Sequence, residues 1–599
     1  MKLRLALLAL TATGGAVAFG ACSATGTSGP GTGGSGGDTI SLTTSSTGTS
    51  SICEKQCSAD LHSIVDCQNH LLSTCPPDQG CSPDGCVPAC DSAKANKSTI
   101  GCDYYAIDPD VVSVAQGACF AAYVANTWGS PVTIQVERGG QAFDATQFSY
   151  LPKGSGKHIT YEPLPNGELP PGEVAIVFLA ATGALVPCPE EVNVGTISNP
   201  AIHGSGLGDA FHITTSAPVV VYDIFPYGGG SAAATSATLL LPTAAWDTNY
   251  VAVDAFRRST YTADAKLSID IVAAEDETEV TINPTSAITS APGVPAAAQG
   301  QPKTYKLNKG QLLQFSQEAS LLGSPIQSNK PVGVWGGATC LTIDVDKSAC
   351  DSAHQQIPPV KALGSEYVAV RYRNRFDGKE ESPPWRIVGA VAGTKLTYEP
   401  AKPKGAPDTL DVGQVAEFRD AGPFIVKSQD ADHPFYMSGH MTGCEEVSTD
   451  FDDCRGDPEF VNVIPGAQYL RSYVFFTDGT YPETNLVLVR RNDGFGFQDV
   501  KLDCAGTLTG WQPIGTSGKY EYTRIDLVRH DFDPQGSCDN GRHEIHSDAP
   551  FGLVIWGWGT EETGTPDNGG IYSLAVSYAY PAGASVQPIN TVVVPTIPK

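Results

Sequence analysis

Two short loops carry the residues best able to do chemistry. "CLTIDVDKSAC", residues 340 to 350, holds Asp344 and Asp346, and "CEEVSTDFDDC", residues 444 to 454, holds Glu445, Glu446, Asp450, Asp452 and Asp453. Nine residues separate the cysteines of each loop, so a bridge would hold several carboxylates close together, an oxygen donor set that suits calcium. The same composition also describes a solvated acidic loop stapled for stability, and neither loop has the spacing of an EF-hand. Calcium is therefore the one cofactor candidate, and no other cofactor is expected.

Patterns that would signal catalysis do not survive their context. "GGSGG" at Gly33–Gly37 matches G-x-S-x-G but lies in a Gly/Ser/Thr-rich stretch with no strand-to-helix elbow to strain the serine. "HEIH" at His543–His546 has two residues between its histidines where the helical zinc motif has three, and on a strand His543 and Ile545 would share one face with His546 on the other. There is no phosphate-cradling GxxxxGK[ST]. The remaining histidines, among them His203, His212, His354, His433 and His440, are scattered. The expectation is a protein that is not an enzyme. A hydrolase is the remote alternative, requiring an acid, base or nucleophile cluster that the linear sequence does not expose.

Those loops must be carried by an exported chain. Lys2 and Arg4 precede an apolar run ending "FGAC", which reads as a secretory signal over residues 1 to 21. Cys22 after Gly20-Ala21 is similar to a bacterial lipobox, whose cysteine is acylated, although Phe19 stands where an aliphatic residue is usual. With Ser23 following, the expected location is the bacterial outer membrane or cell surface, with membrane contact through the lipid alone. Removing Cys22 from the 17 cysteines leaves an even sixteen, as a disulfide framework requires. Adjacent pairing of the later ones predicts Cys119 with Cys188, Cys340 with Cys350, Cys444 with Cys454 and Cys504 with Cys538. Cys53/Cys57 and Cys86/Cys90 have spacings zinc would accept, but export and cysteine density favour bridges. With 37 Lys and Arg against 64 Asp and Glu, the net charge of −27 argues against nucleic acid as a partner.

Residues 22 to 51 are nearly all Gly, Ser and Thr and read as a tether. Residues 52 to 101 form a cysteine-rich segment too small for a core, with a helix expected over Ala59–Leu72. From Cys102 onward, alternating Val/Ile/Tyr/Phe segments broken by turn residues give an all-β pattern. This region repeats. "ITTSAPVVVYDIFPYGG", "IQSNKPVGVWGGATC", "VKSQDADHPFYMSGHMTGC" and "IHSDAPFGLVIWGWGT" align on Pro218, Pro331, Pro434 and Pro550, which are 113, 103 and 116 residues apart. A second anchor, Tyr250, Tyr367 and Tyr473, keeps the same phase. Six or seven short strands per copy predict tandem antiparallel β-sandwich-like modules over 102–236, 237–351, 352–461 and 462–599. A β-propeller is the alternative, with two blades from each copy. Trp335, Trp556, Trp558 and Tyr227 close the repeat strands, and their equivalence argues for packing before ligand stacking.

"LLGSPIQSNKPVGVWGG", "FHITTSAPVVVY", "LLLPTAAWDTNYVAV" and "IVAAEDETEVTINP" together resemble the N-terminal domain of IgGFc-binding protein, found in animal mucus proteins and bacterial surface lipoproteins. The resemblance covers about residues 102 to 590, and only one of the four copies carries the full "LGSPIQSNKPV" form. It implies a non-catalytic extracellular binding or adhesion domain. Several modules on one tether suit a repetitive partner, so the expected partner is an extracellular glycan or glycoprotein, or another cell-surface protein. A structural envelope protein without a specific ligand is the alternative. No residue here matches a known antibody contact, so the ligand-binding residues are unknown.

Overall fold

The computed structural model describes residues 55–58, 60–66, 70–183, 186–229, 234–345, 347, 350–448, 454–560 and 575–596. The signal segment, Cys22 and the tether lie outside them. Residues 53–599 make one compact unit.

The repeat strand explains each module. In Pro325–Thr342, the residues before Val332 pair with Asp247–Val251 and Thr278–Ile282. Those from Val332 onward pair with Leu267–Ala273 and Asp351–Gln356. One strand thus serves two sets of partners, and it changes partners at Pro331. Proline has no N–H to give to a ladder, so it fits where one ladder stops and the next begins. Phe211–Phe225 does the same about Pro218, pairing first with Gly101–Ala106 and Ile134–Arg138, then with Phe120–Asn126 and Ser236–Leu239. Gly541–Trp558 repeats it about Pro550. In the third module the strand is divided into Phe424–Ser428 and Phe435–Met441, which lie in separate four-stranded sheets. The third module is therefore two antiparallel sheets on one shared apolar cluster, while in each of the other three both pairing sets belong to a single nine-stranded antiparallel sheet.

The two sequence anchors meet in space. Tyr250 Oη donates to Val332 O at 2.7 Å and Tyr367 Oη to Phe435 O at 2.6 Å, while Tyr473 Oη donates to Phe551 O. Each acceptor is the residue after a repeat proline. The same hydroxyls accept from the N–H three residues upstream, at Asp247, Gly364 and Leu470, at 3.1, 2.9 and 2.9 Å. Tyr104, which the repeat search passed over, does this for the first module, with its Oη 2.6 Å from Val219 O. All four tyrosines are buried, so each hydroxyl holds the strand at its change of partners without leaving a polar group unpaired.

The modules close into a ring. The strands that follow the repeat strands, Ser236–Leu239, Asp351–Gln356, Glu459–Asn462 and Ser577–Pro581, pack side by side in cyclic order around one axis, first against second, second against third, third against fourth and fourth against first. Every seam has its own apolar cluster. Trp246 and Trp335 pack with Tyr105 at the first, Val253 and Leu267 with Tyr436 and Phe460 at the second, and Tyr372 and Met441 with Trp556 and Trp558 at the third. Tyr123, Tyr222 and Tyr227 pack with Tyr473, Phe475 and Tyr578 at the fourth. The axial strands belong to the sheets of the modules they follow, so sheet membership runs to residues 239, 356, 462 and 581.

The cysteine-rich segment is held by Cys57–Cys81, Cys75–Cys86 and Cys90–Cys102. The helix expected over Ala59–Leu72 is not formed. Its described residues include strand Ser63–Val65 and the start of Leu71–Thr74, which pair with each other. Two bridges spanning residues 57 to 86 fold the segment back on itself, which a helix would oppose, and Leu71 and Leu72 face solvent. The helix of this segment is Ala89–Asn96 instead.

Candidate functional site: the loop end of the ring

The starts of all four axial strands touch. Thr235 Oγ1 donates to Ser577 O at 2.7 Å and lies 3.2 Å from Asp351 Oδ2. Asp351 Oδ2 accepts from Ser577 N at 3.1 Å, and Ser577 Oγ accepts from Asp457 N at 2.9 Å. The connectors that run from repeat strand to axial strand therefore issue from one end of the ring in all four modules. Two of them are the acidic loops.

Each acidic loop is closed by a bridge, Cys340–Cys350 and Cys444–Cys454. Cys119–Cys188 and Cys504–Cys538 are bridged as well. Glu445 and Glu446 occupy the first turn of the short helix Cys444–Val447. Strand Val415–Arg419 ends between the loops, and Arg419 joins them, with Nη2 3.2 Å from Asp344 Oδ1 and Nη1 2.5 Å from Glu446 Oε2. Burial alone would lower the Arg419 pKa, but the hydrogen bond and charge of Glu446, helped by Asp344, outweigh it and hold the guanidinium charged. The structure thus brings Asp344 and Glu446 together around a guanidinium. Asp346, Asp450, Asp452 and Asp453 lie outside the described residues.

Below the loops sits a polar core that composition does not announce. Asp351, Asp457 and Glu459 are at most 1% exposed. Burial pushes the Asp457 carboxyl up to about 8, against the pull of the Cys444 N–H and Arg375, and the neighbouring Glu445 adds to the rise. Asp351 is raised by burial and then by the charges of Asp457 and Glu459. Glu459 is raised by burial against several hydrogen bonds. Burial thus favours the protonated form of all three carboxyls at the start of the axis. Further along, His354 Nε2 meets Asp223 Oδ1 at 2.6 Å, both fully buried. Sequence reasoning missed this group because "DSAHQQ" is largely polar and shows no strand alternation, yet all six residues of that axial strand are buried. The only signal was position, directly after a repeat strand and its connector.

Among the described residues no nucleophilic constellation is assembled at the buried histidines. His354 Nδ1 and His440 Nε2 have no partner, His440 Nδ1 meets the carbonyl of Pro384, both nitrogens of His212 face carboxylates (Asp103 and Glu137), and those of His543 meet Asp503 and the carbonyl of Asp539. Among the described residues, Asp503, Cys504 and His543 bring ligand atoms within 4.8 Å of one another, but the Cys504 sulfur is committed to Cys538. His543 and Ile545 are buried and Glu544 and His546 exposed, as strand alternation requires. Trp335 and Trp558 are 0% exposed, Tyr227 1% and Trp556 3%, so these aromatics are core and not a stacking platform.

Fold and site together define a disulfide-stapled all-β protein of the kind found in oxidising, extracytoplasmic surroundings, a closed ring of antiparallel β-modules with acidic connectors at one end. The family model described as IgGFc binding protein matches residues 236–557, more than half of the chain, and the chain belongs to that family. The match begins at the first axial strand and ends inside the last repeat strand, so the first module shares the architecture while lying outside it. A search of the curated proteins finds no relative that matches. Among the described residues no helix is long and apolar enough to cross a membrane.

Proposed function

We propose that this is a non-catalytic, lipid-anchored protein of the bacterial cell surface that binds an extracellular partner through the loop end of its ring. The observation that carries the reading is the convergence of four connectors on one end of a ring closed at every seam. Such a surface offers several contacts in fixed register, and contacts that engage together multiply their effect on affinity. A repetitive partner gains most, such as a mucin-like chain or another protein of a cell surface. The family's description names antibody Fc, but no residue of this chain can be matched to an Fc contact, and Fc is not part of the proposal.

Calcium at the acidic loops remains a proposal resting on loop composition. Arg419 already pairs with Asp344 and Glu446, so calcium there would have to displace it, and the candidate ligands not engaged by Arg419 are Asp346, Glu445, Asp450, Asp452 and Asp453.

Two measurements test the reading. Cells expressing the full chain should incorporate labelled palmitate and keep the protein in the membrane fraction, and Cys22→Ser should abolish both. The purified protein should retain a component of a cell-surface extract, and replacing residues 559–574 by a short Gly/Ser linker should weaken that retention. Retention of nothing by the wild-type protein would overturn the binding role.

A further inference from the structure

The widest cavity described lies away from the loop end, at the seam of the third and fourth modules. It encloses about 290 Å³, whereas the apolar slots at the axis and beneath Trp385 enclose about 30 and 40 Å³. Two cross-strand pairs face each other over it. Glu366 stands opposite Lys427 in the third module, and Arg491 opposite Tyr520 in the fourth. Lys519 Nζ and Tyr520 Oη both lie 2.6 Å from Glu366 Oε1, so that carboxylate is consumed. Burial would raise its pKa, but the hydrogen bonds from Lys519 and Tyr520 prevail and hold it below the usual range. Arg491 is matched from outside the lining by Asp493 at 2.5 Å and donates to Gly466 O at 2.8 Å.

Three cations, Lys427, Arg491 and Lys519, therefore stand against two carboxylates, Glu366 and Asp493, which leaves one positive charge over. Lys427 is exposed; its charge acts on Glu366 across the strand pair, but its ammonium makes no hydrogen bond or salt bridge among the described residues. The uncharged lining mixes small residues, Gly364, Ser365 and Ala467, with the apolar Leu363, Pro465 and Ile589. An open cleft with a surplus positive charge suits a hydrated anionic ring.

We propose that this cleft binds an acidic saccharide, with Lys427 meeting the carboxylate or sulfate of one sugar unit. The proposal rests on the binding reading above for its biological meaning and names a site that reading does not use. The test is titration of the full chain, at low salt, with a heparin-derived tetrasaccharide and with tetragalacturonic acid. The first offers sulfate and carboxylate, the second carboxylate alone. Saturable binding of either is expected, weakening as salt rises, and which one binds tells sulfate from carboxylate recognition. Lys427→Ala should cost about tenfold or more in affinity, as loss of a charge-assisted contact does. Lys309→Ala, at an exposed lysine of the second module, should cost nothing. Because Lys427 is exposed and makes no hydrogen bond or salt bridge among the described residues, its replacement should leave the melting temperature unchanged, so lost binding would not be lost folding. No saturable binding of either sugar, or binding indifferent to Lys427→Ala, would overturn the proposal. If the surface extract were still retained in that case, the binding role would stand and only this site would fall.

Discussion

Asp457 sits where a connector enters the axis, buried, with the Cys444 N–H on one oxygen at 3.2 Å. Its pKa, about 8 in the folded protein against 3.8 for a free aspartate, means that the fold favours the protonated form. The sign follows from proton counting. Between the two values the folded protein holds a proton that the unfolded chain has released, so stability falls as pH rises from about 4 to about 8. Asp351 and Glu459 push in the same direction. His440 works the other way, because burial, aided by Arg386, holds it neutral and costs stability below its ordinary range. Asp457→Asn keeps the acceptor for Cys444 and removes the charge. It should raise the melting temperature at pH 8, do little at pH 4.5, and flatten the profile between them. Thermal scans across that range check it, and a variant that lost stability equally at both ends would show that the carboxyl is charged and needed so. A lone sequence gives no hint of this, because an aspartate three residues past a cysteine reads as one more surface acid.

At the scale of elements, the sequence is most legible where a physical constraint repeats. Pro218, Pro331, Pro434 and Pro550 could be aligned because each marks the place where the repeat strand changes partners, a task for which a missing N–H is an advantage. Three of the four tyrosines were legible as an anchor of constant phase. That they bind the residue after the proline was not, because a hydrogen bond over 68 to 82 residues leaves no local trace. Tyr104 escaped because "CDYYAI" lacks the upstream proline that marked the other copies. The polar axial strands were lost for the opposite reason, since alternation finds strands with one wet face and these have none. Gly336 and Gly337 lie inside the repeat strand, which runs on past Trp335 to Thr342. A Cβ on Gly336 would stand 1.4 Å from the carbonyl oxygen of Val253, so glycine is required there by a crossing backbone and not by a turn. The tyrosine anchor can be tested alone. Tyr367→Phe removes one hydroxyl and leaves the Gly364 N–H and the Phe435 carbonyl without it, both in buried surroundings, at a cost of about 1–3 kcal/mol. Denaturant unfolding of that variant beside Tyr398→Phe, whose hydroxyl reaches only Pro407 O nearby in sequence, should show the larger loss at Tyr367.

At the scale of the whole molecule, what had read as four modules on a string is a ring, and its last residues lace it. Beyond the final axial strand, Ala584 N donates to Thr99 Oγ1 and Val586 N to Lys97 O, in the end of the cysteine-rich segment that leads into the first module. Ser585 N reaches Gln468 O, beside the anchor tyrosine of the fourth. Asn590 then gives its amide to Val360 O and Leu363 O, at the entry to the third. Val594 exchanges two bonds with the Asn249 side chain, at 2.8 Å each, in the second, and is itself fully buried. The strap therefore touches the anchor-strand end of every module, opposite the connectors. Ending the chain at Pro588 would remove Val594 from its buried site and strip the buried Asn249 of its Val594 bonds. Burial of one valine and the lost hydrogen bonds together give a cost of about 4 kcal/mol. Because each seam is apolar and residues 53–599 form one unit, that loss should appear as a single calorimetric transition at lower temperature. Two separated transitions would mean that the modules hold themselves and the ring is only their packing. In that case the four connectors would not be a rigid surface, and binding through them would carry the entropy of ordering one module against the next.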